Sequence, residues 1–184
     1  GQPAFNPVPP AISAAFLDGS PPPGAGTPPD AILDDFAARV APHPFGNGHP
    51  RFFGWINSPP EPLAIFAEAL AAAMNPSCAG GNHAAIYVEH QVLDWFKQIV
   101  GFPLASGGLL VSGGSMATLT ALTVARHVKA GGDVRAVGGR GLPAQPVVYV
   151  ADQGHSAVRK SVELLGLGGA GLRIIPADRH HRLR

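Results

Sequence analysis

Apolar positions repeat at helical spacing through much of the first hundred residues. Beyond them, helical and strand-like segments alternate. A short helix is predicted at residues 11–17. Asp30 then reads as a helix N-cap, with Ile32, Leu33, Phe36 and Val40 on one apolar stripe and Pro42 as terminator. Pro62 suits a first helical position. Leu63, Phe66, Ala67 and Leu70 follow on one side, and Pro76 ends the run. A longer amphipathic helix is predicted over 84–100. Val88, Val92, Trp95, Phe96 and Ile99 form its apolar side, Glu89, Asp94, Lys97 and Gln98 face water, and Gly101 and Pro103 stop it.

From residue 109 the pattern changes. Residues 109–111 read as a short buried strand, followed by a glycine turn. A helix then opens at Ser115 and carries Thr118, Leu119, Leu122 and Ala125 at helical spacing. After a glycine-rich loop come a strand at 147–150, a helix to about residue 165 with Val158, Val162 and Leu165 on one side, and a strand at 172–175. Strand, helix, strand, helix, strand, with a polar or glycine turn after each strand, is the pattern of an α/β doubly wound parallel sheet. Ligands of such sheets sit at the carboxyl ends of strands. The turns at 112–115 and 152–155 are therefore expected to face one ligand.

Composition narrows the class. The chain has 184 residues, 46% of them hydrophobic and 14% charged, enough apolar mass for a core. A net charge of +1 gives no electrostatic case for nucleic acid or an anionic membrane. No apolar run approaches a membrane span, and no charged-then-apolar secretory signal opens the chain. Cys78 is the only cysteine, which suits a reducing, cytoplasmic setting. Prolines crowd residues 1–30 into an extended arm that cannot build a core alone and must pack on the rest of the chain or on a second subunit.

Candidate chemistry gathers at the two strand-end turns. Gly113 and Gly114 permit torsions and close approaches that a Cβ would block. Ser115 suits an N-cap, and a helix N-terminus there offers unpaired N–H groups to a phosphate. The turn lacks the lysine of a nucleotide-binding P-loop and does not follow Gly-x-Gly-x-x-Gly. His155 shares the same expected edge, where an imidazole stacks on a flat cofactor or handles a proton near neutrality. The aromatic run from Phe52 to Trp55 reads as a core plug or a pocket wall. His83 and His90 lie two helical turns apart without a completing carboxylate or thiolate, so no metal site is expected.

Five motifs in order carry a family resemblance: His49-Pro50-Arg51-Phe52-Phe53-Gly54; Tyr87-Val88-Glu89 with Asp94-Trp95; Gly101-Phe102-Pro103; Ser112-Gly113-Gly114-Ser115-Met116-Ala117-Thr118-Leu119; and Asp152-Gln153-Gly154-His155-Ser156. From about Pro7 to Asp178 the chain resembles the N-terminal part of the pyridoxal-phosphate-dependent group II decarboxylases, among them the aromatic-L-amino-acid and glutamate enzymes. The resemblance implies an aminotransferase-like (fold type I) architecture: a parallel-rich sheet with flanking helices, an incomplete large domain, and a Pro-rich helical arm ahead of it. It implies residues 1–76 as a dimer-wrapping arm and 77–184 as the first part of the large cofactor-binding domain. It also implies pyridoxal 5'-phosphate, an amino-acid substrate and a homodimer. Gly114 and Ser115 match the positions that hold the cofactor phosphate. His155 matches the catalytic histidine that stacks on the ring, and Ser58 falls near a substrate-contacting position.

The chemistry so implied uses the cofactor as an electron sink while a carboxylate leaves as carbon dioxide. It requires a Schiff-base lysine. The chain offers Lys97, Lys129 and Lys160, none in the family's lysine context, and the acid for the pyridine nitrogen belongs to the family's later part. The chain is accordingly expected to be an N-terminal portion, inactive alone. Two alternatives stand beside this reading. One is another fold-type-I enzyme, an aminotransferase or an aldehyde-forming decarboxylase. The other is a non-catalytic fragment or assembly module.

Overall fold

The computed structural model describes residues 3–183. They divide into two units, which meet in sequence at Ser77 and Cys78.

In the first unit, proline starts each of the three α-helices among the described residues. Pro10 opens α1 (Pro10–Phe16), Pro29 opens α2 (Pro29–Asp35) and Pro62 opens α3 (Pro62–Met74). A missing N–H costs nothing in a first turn, and a φ already fixed near the helical value favours it. Pro28, not Asp30, occupies the cap of α2, and Asp30 lies in its first turn beside the positive end of the helix. The helix continues into a wider turn over Phe36–Val40, where Ala41 N–H reaches back to Phe36 O at 2.9 Å. Arg39 bonds Asp35 at 2.8 Å and lies 4.1 Å over the Phe16 ring. The aromatic run forms a small cluster of its own. Trp55 stacks on Phe45 at 4.9 Å, while Phe5 and Phe52 meet Phe45 edge-on. Phe53 and Ile56 point outward.

The second unit begins with α4 (Ala84–Val100), which Gly101 ends in a left-handed cap at φ 70°. Its bounds match the sequence pattern, but its inward side does so only at Val92, which is half-buried. Glu89 and Lys97, expected in water, lie on the half-buried side, whereas Val88, Trp95, Phe96 and Ile99 are mostly exposed. Polar side chains face inward because they serve the backbone beyond the helix. Lys97 Nζ donates to Leu104 O at 3.1 Å and to Asp94 at 2.8 Å, and Glu89 Oε1 accepts from Leu110 N–H at 3.4 Å.

The expected strand at 109–111 is not formed among the described residues. No neighbouring strand pairs with the segment, and Leu109 and Leu110 are exposed. The sheet is accordingly two-stranded, not the longer doubly wound sheet that the pattern suggests. β1 (Val148–Ala151) lies parallel to β2 (Leu172–Ile175), with Val148 opposite Leu172 and Ala151 opposite Ile175. Between them runs α7 (Ser156–Leu164), against which α5 (Gly114–Lys129) packs; the one-turn α6 (Val134–Val137) lies in the loop between α5 and β1. Val162 is wholly buried at the centre with Leu167 and Leu172, and Leu122, Val148, Val150, Val158 and Leu165 close around them. Two side chains tie α5 and the loop before β1 to this core: Arg126 Nη1 donates to Leu165 O at 2.7 Å, and Gln145 Nε2 to Leu167 O at 2.6 Å.

Candidate active site

The glycine turn enters α5 two residues earlier than a cap at Ser115 would place it. Gly113 takes the N-cap position at φ 146°, ψ 166°, a conformation that disfavours a side chain. No side chain caps the helix, so Ser115 is its second residue and not its cap. The first helical bond runs from Ala117 N–H to Gly113 O at 3.0 Å, leaving the amides of Gly114, Ser115 and Met116 ahead of the ladder. A Cβ at Gly113 or Gly114 would meet nothing within 4 Å, so the approach to these amides is open. They line a cavity of about 450 Å³ whose far wall is α7: Ala157, Lys160, Ser161 and Leu164. These four recur at i, i+3, i+4 and i+7 and so occupy one side of the helix. Their contribution to the cavity was not anticipated from sequence, although that spacing was the available signal.

His155 sits at the other strand end. Asp152 anchors this corner: its N–H donates to Ile175 O at 3.0 Å, and its Oδ1 accepts from Ala177 N–H at 3.2 Å, fastening the ends of β1 and β2 together. Gly154 then turns the chain where a Cβ would collide with the Val150 side chain and the Ala151 carbonyl. His155 follows as the N-cap of α7, its Nδ1 accepting from Ala157 N–H at 3.1 Å. That bond occupies the Nδ1 lone pair, so the neutral ring carries its proton on Nε2. The ring is exposed and lines a separate small cavity of about 80 Å³ between the end of β1 and α7. The two turns thus do not open into one cavity. They flank the first turn of α7, with Ala157 in the wall of the larger space and Ser156 and Val158 in that of the smaller. Ser58 is an exposed loop residue of the first unit.

A family model described as the pyridoxal-dependent decarboxylase conserved domain matches residues 20–184. The chain belongs to this family. It is 35% identical over 137 residues to an aromatic-L-amino-acid decarboxylase of Bacillus atrophaeus, covering 73% of this chain and 27% of that protein. Among solved structures, mouse CSAD in apo form superposes with a TM-score of 0.82 at 26% identity, over 95% of this chain and 36% of that one. An Oryza sativa TDC solved with PLP and tryptamine gives 0.79 at 29% identity, over 97% and 38%. The fold is therefore that of the fold-type-I pyridoxal-phosphate decarboxylases, and the chain spans roughly a third of these relatives' length.

The donor set at the turn fits the cofactor this family takes. Pyridoxal 5'-phosphate carries a phosphate ester, and the first turn of α5 offers open amides at the positive end of a sixteen-residue helix. No helix is long and apolar enough to cross a membrane among the described residues.

Proposed function

We propose that the complete protein is a pyridoxal-phosphate-dependent carboxy-lyase that removes carbon dioxide from an L-amino acid. The observation that carries this reading is the uncapped first turn of α5, an open phosphate seat in a chain of a pyridoxal-dependent family. When bound, the cofactor supplies an electron sink for the charge left as carbon dioxide departs.

This chain's own residues hold and orient. The amides of Gly114 and Ser115 take the phosphate oxygens, and Gly113 lets the backbone come close. His155 lays its imidazole against the cofactor ring. Its Nδ1 bond to Ala157 N–H prevents the ring from turning, and its Nε2 proton is directed outward as a donor near the substrate carboxylate. The Ser58 hydroxyl contacts the substrate. Residues 1–76 wrap a second subunit of a homodimer, and residues 77–184 open the large cofactor-binding domain. The protein works in the cytoplasm, where Cys78 stays a free thiol.

The test is release of labelled carbon dioxide from carboxyl-labelled amino acids by the full-length protein, with and without pyridoxal phosphate. Cofactor-dependent release that His155→Asn lowers about a hundredfold or more supports the reading. Absence of release from aromatic, acidic and imidazole amino acids alike contradicts it.

A further inference from the structure

The cavity at the head of α5 has a second wall that the glycine turn does not explain. Lys160 and Ser161 of α7 line it opposite Gly114 and Ser115. Ser161 is 2% exposed, the one buried polar residue among those described, and its hydroxyl makes no hydrogen bond to another described residue. A hydroxyl that opens onto this space is free to bond what occupies it. Lys160 likewise has no carboxylate partner among the described residues. The space therefore gathers open amides, a hydroxyl that both donates and accepts, and an ammonium group, with no acidic side chain on its walls. Amides and an ammonium donate only, and the positive end of α5 adds to the field, so the ligand chemistry selected is an oxyanion with several acceptor oxygens.

We infer that Lys160 and Ser161 are phosphate ligands that complete the seat formed by Gly114 and Ser115, gripping a phosphate monoester from α7 while α5 grips it from the opposite side. This inference rests on the reading of the turn as the cofactor-phosphate seat, and adds to it a charged ligand from the helix that His155 caps.

The test is a titration of the full chain with inorganic phosphate, pyridoxal phosphate and pyridoxal, followed by phosphorus and amide NMR shifts. Lys160→Met is expected to weaken both phosphates about tenfold or more, as for loss of a charged hydrogen bond, and Ser161→Ala several-fold. Neither changes pyridoxal binding, and Lys160→Arg restores most of the affinity. Lys160 is exposed, so its variants are expected to keep the parent's thermal midpoint. Ser115→Pro separates the two ideas, since it deletes one first-turn amide at a position where proline fits a helix. If Lys160→Met and Ser161→Ala bind phosphate like the parent while Ser115→Pro does not, the inference fails and the seat stands. If Ser115→Pro also binds like the parent, or the parent binds no phosphate, both fail.

Discussion

Gly154 and His155 show how much a single position does at this strand end. At Gly154 there is no room for a methyl group between the Val150 side chain and the Ala151 carbonyl, so Gly154→Ala must push β1 away from α7. The expected cost is about 1–3 kcal/mol, read as a lower midpoint in urea unfolding. His155 has two separable duties. Its Nδ1 caps α7, and its ring is the proposed cofactor contact. His155→Ala is expected to lose about 1 kcal/mol of stability with the cap, whereas Asn caps as well as any residue and keeps it. Thermal melts of the two variants beside the parent check this: equal losses in both would show that the cap contributes nothing. The histidine was readable from sequence as a strand-end residue, but its capping bond was not, because Asn, Asp, Ser and Thr are the residue types that signal a cap. For the same reason the sequence points to Ser115 as the cap of α5, whereas Gly113 fills that place through its backbone torsions alone.

Helices were easier to read than their surroundings. Proline at the start of α3 and glycine after α4 mark their ends by covalent geometry, which acts locally and so is visible in sequence. Which side of α4 turns inward is a different question. Periodicity assigns it to Val88, Val92, Trp95, Phe96 and Ile99; of these Val92 is half-buried, and Glu89 and Lys97 are drawn in beside it by amide and carbonyl groups 21 and 7 residues away. The 109–111 segment failed as a strand because pairing needs a neighbour, and no apolar pattern supplies one. At the other end of the unit, residues 177–183 close a small loop on Asp178. The Arg182 backbone N–H, its guanidinium and the His180 N–H all bond the Asp178 carboxylate, and the Arg182 amide is the largest cause that holds its pKa below the ordinary value. A lowered folded pKa means the carboxylate supports the loop above the usual aspartate range, near pH 4, and stops doing so as pH falls through the lower folded value. The His180 and Arg182 amide shifts are expected to titrate together below about pH 3.9. A midpoint at or above that value would contradict the arrangement.

At the scale of the whole molecule, large apolar side chains remain on the outside of both units, among them Phe53 and Ile56 in the first and Trp95 and Ile99 in the second. Exposed apolar surface of this extent marks contacts with further protein, in keeping with a chain that spans about a third of its relatives' length. The lysines bear on the same point. Lys97 is tied to Asp94 and Leu104, Lys129 ends α5 at the opposite pole from the glycine turn, and Lys160 is assigned to the phosphate. Incubation of these 184 residues with pyridoxal phosphate and borohydride is therefore expected to leave all three without a stoichiometric label on peptide mapping. A full label on any one would show that the chain carries a covalent anchor of its own.

The claim beneath all of this is that the head of α5 receives the cofactor phosphate. Amide NMR of the chain titrated with pyridoxal phosphate, and separately with pyridoxal, tests it most directly. The account predicts large downfield shifts at Gly114 and Ser115 with the phosphorylated compound and none with the other. Binding of pyridoxal phosphate that leaves those two amides unmoved would contradict it.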